Sequence, residues 1–267
     1  MATYYAINAG GNWSAGATWS TVSAKDASRV GGSTAPTNAD DCILDDYSGN
    51  VTVNTTTCAC KSITCTGYTG TLTFTAAQRL IVSGDVVFSA GMALAGTGDL
   101  RFQATATLNM AGLTFPGSMS NNTSGTITLL ADLVITGALT ATNALLTFAG
   151  AFDVTCSSLR LYYGLIIPSG QTLTITESIT LMASIVTVPT IKSSTASSTA
   201  YLTYQGTVAN CAIAGYIFTD IDASGSAQGL DNWYGGTLTR TAGITNRTSA
   251  DIGGGGSPRF GDRTGGK

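Results

Sequence analysis

The chain has 267 residues, of which only 10% are charged and 43% hydrophobic, with 33 glycines and a net charge of −3. So few charges exclude a protein built of solvent-exposed helices, whose wet faces need Glu, Lys and Arg. The 12 Lys and Arg residues are scattered and leave no basic footprint for nucleic acid. Histidine is absent, which removes Ser-His-Asp triads, imidazole bases and His-based metal sites.

Residues 1–38 show no clear repeat. Met1 to Gly10 lacks the basic start and apolar stretch of an export signal, so synthesis in the cytoplasm without a signal peptide is expected. No apolar run approaches the roughly 20 residues that cross a membrane. Trp13 and Trp19 stand in a polar stretch. They are read as an N-terminal cap, because an open sheet end exposes unpaired strand edges. A sugar-stacking surface is the competing reading of the two rings.

Residues 39–221 carry a returning phrase: apolar, any residue, apolar, Ser or Thr, then usually Gly. It reads Ile63-Thr64-Cys65-Thr66-Gly67, Leu80-Ile81-Val82-Ser83-Gly84, Leu133-Val134-Ile135-Thr136-Gly137 and Leu173-Thr174-Ile175-Thr176-Glu177. A looser copy, Phe152-Asp153-Val154-Thr155-Cys156, lies between the last two. Other short segments alternate apolar with Thr, Ser or Arg, including Val51–Val53, Thr71–Phe74, Leu100–Phe102, Thr126–Thr128, Ile179–Leu181 and Tyr201–Thr203. Short strands cut by turns at a period of about 20 residues predict an all-β, single-stranded, right-handed parallel β-helix of about nine coils with capped ends. Gly117–Gly125 reads as a polar excursion from it. The alternative is an antiparallel β-sandwich, which needs hairpin turns such as Asn-Gly or Asp-Gly; the chain has neither.

Residues 222–250 read as a C-terminal cap, with Trp233 and Tyr234 covering the last coil. Residues 251–267 are Gly-rich and carry Arg259, Arg263 and Lys267, which suits a flexible docking tail.

The candidate chemistry is sparse. Asp40, Asp41, Asp45 and Asp46 surround Cys42-Ile43-Leu44 and could hold Ca²⁺ through oxygen ligands; a solvated turn with Asp side chains on backbone donors is the competing reading. No other cofactor is expected. Asp222, Asp231, Asn232, Trp233 and Tyr234 combine acids, an amide and aromatic rings, which suits a glycan or a partner surface. Asp132, Asp153 and Glu177 lie near the coil period, but alignment on the phrase puts them at different places in it, so they should not stack in register. Cys58, Cys60 and Cys65 admit a zinc site, yet no fourth ligand is close. Small buried residues are the ordinary reading of such cysteines. No catalytic residue is assigned.

The opening Gly11-Asn12-Trp13, Thr18-Trp19-Ser20, Pro36 and Asp40-Asp41-Cys42-Ile43-Leu44 leads directly into the short strands. In this it resembles parallel β-helix proteins of bacteriophage virions and bacterial surfaces, by motif over residues 11–90 and by texture beyond. The resemblance implies a virion structural protein of the tail spike, tail fibre or capsid decoration type, commonly trimeric. Its partners would be other capsid or tail proteins, and possible host-surface glycans, with no nucleic acid or membrane. A receptor- or glycan-binding adhesin and a polysaccharide depolymerase are the alternatives. No catalytic motif of the glycan-cleaving members matches this chain, so no site is carried over.

Overall fold

Strand propensity and corner geometry together set the architecture. In the computed structural model, described for residues 1–32, 34–123, 125–141, 145–182, 189–227, 230–233, 238–239 and 241–247, the chain is all-β, with two three-residue 3-10 turns as its helical elements among these residues. Parallel strands stack as a solenoid of about eight turns, close to the nine expected. The sandwich alternative fails on register. Described strand pairs run parallel, apart from Thr3–Ala6 against Trp19–Ser20.

Three sheets form the walls. The first has twelve strands and runs from Trp19–Ser20 and Thr3–Ala6 through Asp41–Asp45, Ser62–Thr66 and Val86–Val87 to Leu238–Thr239. The second has four: Gly11–Asn12, Val51–Val53, Thr71–Phe74 and Ala93–Gly96. The third has thirteen and includes Cys58–Cys60, Arg79–Val82, Asp99–Phe102 and the long strands Leu133–Ala141, Val154–Leu161 and Thr172–Met182. Each long strand serves two walls. Its first half continues the ladder beside Thr114–Phe115, its second half pairs in the third sheet, and a register shift after Ile135 and after Cys156 separates the two.

Period-two alternation decides what faces inward. Thr71–Phe74, Arg79–Val82, Asp99–Phe102 and Thr126–Leu129 all alternate half-exposed with buried residues. Stacked coils therefore superpose like on like. Cys58, Leu80, Leu100, Met119, Leu139, Leu159, Ile179 and Cys211 form one column of the third sheet. All but Cys211 are fully buried, and such columns merge into one continuous apolar core. Phe74 and Phe115 add an edge-to-face pair with centroids 4.9 Å apart. At the corners the backbone of one coil crowds the next. Gly96 has φ +85°, and a Cβ there would sit 1.9 Å from the carbonyl oxygen of Phe74, so only glycine fits.

Three expectations change. The phrase at Ile63 belongs to the first sheet and the phrase at Leu80 to the third, so their spacing is not a coil step. The Gly117–Gly125 segment is no excursion. Ser118–Asn121 is a strand in register with Asp99–Phe102, and buried Asn121 stands in a core column between Phe102 and Ala141. Its side-chain amide donates to the Gly125 carbonyl and accepts from the Thr123 N–H, which satisfies a polar group that burial would otherwise penalise. Finally, coil-like pairing continues beyond Asp222, where Leu230–Trp233 and Ile244–Arg247 pair in parallel.

Candidate functional site

The N-terminal end holds the densest chemistry. Trp13 and Trp19 are fully buried, edge to face at 4.7 Å, and Trp19 Nε1 donates to the Trp13 carbonyl at 2.8 Å. Trp13 Nε1 reaches the Ala59 carbonyl of the first coil at 3.3 Å. Buried rings offer no stacking face, so the sugar-stacking reading of this pair is withdrawn. Beside them Arg29, with a side chain of 0% exposure, makes a bidentate pair to both carboxylate oxygens of Asp45 at 2.8 Å. Its remaining N–H groups donate to the carbonyls of Ala6, Ser23 and Ala24, and the guanidinium lies between the rings of Tyr5 and Tyr47.

The four acids considered for calcium go to separate tasks. Asp40 accepts from the Ala2 N–H and from the backbone and hydroxyl of Thr37. Asp41 accepts from Ser62 Oγ at 2.6 Å, with Lys61 at 3.6 Å. Asp45 holds Arg29 and Ser48, and Asp46 pairs with Lys25. Burial pushes the Asp40 and Asp45 carboxyls up, but hydrogen bonds from Thr37 and Ala2, and from Arg29 and Ser48, outweigh it and leave both below the ordinary value. Among the described residues no group of three or more His, Cys, Asp or Glu side chains is arranged to hold a metal ion. All six cysteines are free thiols, and five are buried. Burial, with a hydrogen bond between the Cys42 and Cys60 thiols, raises Cys42 far above the ordinary thiol range.

A second set of acids forms a corner ladder. Leu133 pairs with Val154, which sets Asp132 beside Asp153. Asp132 Oδ1 accepts from the Asp153 N–H, Asp153 Oδ1 from the Thr172 N–H, and Asp85 Oδ1 from the Thr107 N–H. Asp132 and Asp153 thus do stack, against expectation. The looser phrase is out of step by two residues, so that Val154, and not Phe152, takes the place held by Leu133. Glu177 does not join them: it lies at the bulge, before Ser178, which pairs with Ser158.

The third sheet carries a cluster that inspection of the sequence missed. Arg79 and Asp99 are in register on neighbouring coils, Arg101 follows on the same strand as Asp99, and Ser120 is in register with Arg101. Ser120 Oγ donates to Asp99 Oδ2 at 2.7 Å, and Arg101 Nε donates to Ser120 Oγ and lies 3.5 Å from Asp99 Oδ2. Among the described residues Asp99 Oδ1 and Arg79 Nε are buried without a hydrogen-bond partner. Burial raises the Asp99 carboxyl, partly offset by Ser120 and the two arginines. These residues lie about twenty apart in sequence, so only the coil step reveals them.

At the C-terminal end Asp222 Oδ1 accepts from both the N–H and the hydroxyl of Ser224, which lowers its carboxyl. Asp231, Asn232 and Trp233 lie on Leu230–Trp233, where Asn232 pairs with Ile213 and Trp233 with Ala214 and Arg247. Tyr234 and the tail residues Arg259, Arg263 and Lys267 lie outside the described residues. No family model, no curated protein and no solved structure matches this chain.

Proposed function

We propose that this protein is a non-enzymatic structural component of a virion, a capsid decoration or part of a tail fibre or spike, assembled with other virion proteins and with copies of itself. The observation that supports this reading is how the carboxylates are used. Asp40, Asp45, Asp85, Asp132 and Asp153 each fix a backbone N–H or an arginine of another strand or coil. A rod that spends its acids on coil-to-coil bonds is suited to bearing load and presenting surfaces. The tail with Arg259, Arg263 and Lys267 serves as the docking segment, and a trimer is the assembly expected. Peptide mass spectrometry of purified virions tests the idea: the chain should be present in stoichiometric copies, and particles that lack it end the reading.

Two further readings each have one observation in favour. The hydroxyl-lined outer columns of the solenoid suit a glycan-binding adhesin, with Asp222, Asp231, Asn232, Trp233 and Tyr234 as one candidate surface; loss of glycan binding on Trp233→Ala supports it. Asp132 and Asp153 stand one strand spacing apart, about 4.8 Å, near the carboxylate separation of retaining glycosidases, about 5–5.5 Å. Each, however, already holds a neighbouring N–H. Polysaccharide cleavage abolished by Asp132→Asn with Asp153→Asn would establish a depolymerase.

A further inference from the structure

We infer that the outer wall formed by Val154–Cys156, Leu173–Ile175, Ala200–Tyr204 and Ile221–Asp222 is a binding strip for an uncharged polysaccharide, centred on Tyr201. Two outward columns run along it. In one, Asp153 lies beside Thr172, Thr172 pairs with Tyr201, and Tyr201 with Asp222. In the other, Thr155 pairs with Thr174 and Thr174 with Thr203. The residues between the columns, Val154, Leu173 and Leu202, are buried, so the strip is held on a rigid apolar backing.

Tyr201 is 42% exposed, one of the few large side chains the solenoid leaves open. Large exposed rings present a flat apolar face with a polar tip, which suits the face of a sugar ring. Around it stand the hydroxyls of Thr172, Thr174 and Thr203 and, at either end, a carboxylate. Asp153 and Asp222 use Oδ1 for the bonds to Thr172 and Ser224. Among the described residues Oδ2 of each takes no hydrogen bond, so both offer an acceptor to sugar hydroxyls.

Spacing separates binding from cleavage here. Asp153 and Asp222 are three strand spacings apart, about 14 Å, whereas paired glycosidase carboxylates stand about 5–9.5 Å apart. No bond could lie between these two acids, but three or four sugar units laid along the rod would span them. Charge selects the partner. Neither column holds a Lys or Arg, and acids close both ends, so a sulfated or carboxylated polymer is repelled.

This strip shares only Asp222 with the patch around Trp233 and does not depend on a virion role; its failure would leave the virion composition result untouched. The test is binding of the full chain to mannan, dextran and chitohexaose, with heparin as the polyanion. At least one neutral probe should bind and heparin should not. Tyr201→Ala should weaken binding about tenfold, the loss of one stacking platform, while Tyr201→Phe, which keeps the ring, binds close to the unaltered chain. Thr174→Val with Thr203→Val should weaken it further without moving the melting temperature. Failure of all three neutral probes, unchanged binding by Tyr201→Ala, or a preference for heparin would overturn the assignment.

Discussion

The N-terminal end and the middle coils are stabilised by different means. Between Leu133 and Met182 the same contacts recur, with Leu139, Leu159 and Ile179 stacked inside and Ser158 and Ser178 hydroxyls bonded outside at 2.9 Å. The sequence of residues 1–38 shows no such repeat. This end relies on one tryptophan pair, one buried guanidinium and one bidentate ion pair. Repetition can only continue a solenoid; it cannot end one. Closing the edge takes side chains whose geometry is used once, and the buried charge makes that end more sensitive to a single change.

Arg29→Ala should do the most damage, about 3–5 kcal/mol, because it leaves Asp45 buried without its partner. Urea titration with tryptophan fluorescence reads this end directly through Trp13 and Trp19. In the middle, Leu159→Ala should cost about 2–5 kcal/mol for the cavity it opens, with less change in that fluorescence. Equal fluorescence changes from the two variants would show that the end and the middle unfold as one unit.

The same contrast has a pH signature. Asp40 and Asp45 lie below the ordinary value of 3.8, so their contribution is present above that value and is lost as pH falls through the lower folded values. Asp99 is raised above 3.8, so its effect has the opposite sign: stability is lost as pH rises from 3.8 through its folded value. Melting temperatures between pH 2.5 and 6.5 should show Asp45→Asn losing the acid limb and Asp99→Asn losing the descending one. The smallest effect is expected for Asp153→Ala, about 1 kcal/mol for one hydrogen bond to the Thr172 N–H; a loss beyond about 3 kcal/mol would mean that the corner ladder acts cooperatively.

The fold was legible because alternation and turns are local signals. Val51–Val53, Thr71–Phe74 and Thr126–Thr128 all fall within strands. The coil step was less so, since the same phrase ends strands on two different walls, as Ile63 and Leu80 show. A two-residue offset, which leaves the same faces turned inward, was enough to hide the Asp132–Asp153 stack. Arg29 gave no signal, because it sits in a segment without periodicity and its importance comes from burial against Asp45. Tyr201 looked like any strand residue until its exposure on the outer wall was known.

The buried thiols make the protein its own chemical clock. Burial pushes Cys65 up and Cys156 up to about 12, so neither forms the thiolate that alkylating reagents attack. Cys42, Cys58, Cys60 and Cys65 lie in the first coils and Cys156 near the middle. Each can react only when its own stretch of wall opens. Residue-resolved labelling rates would therefore rank the coils by how often they come apart, with no introduced probe.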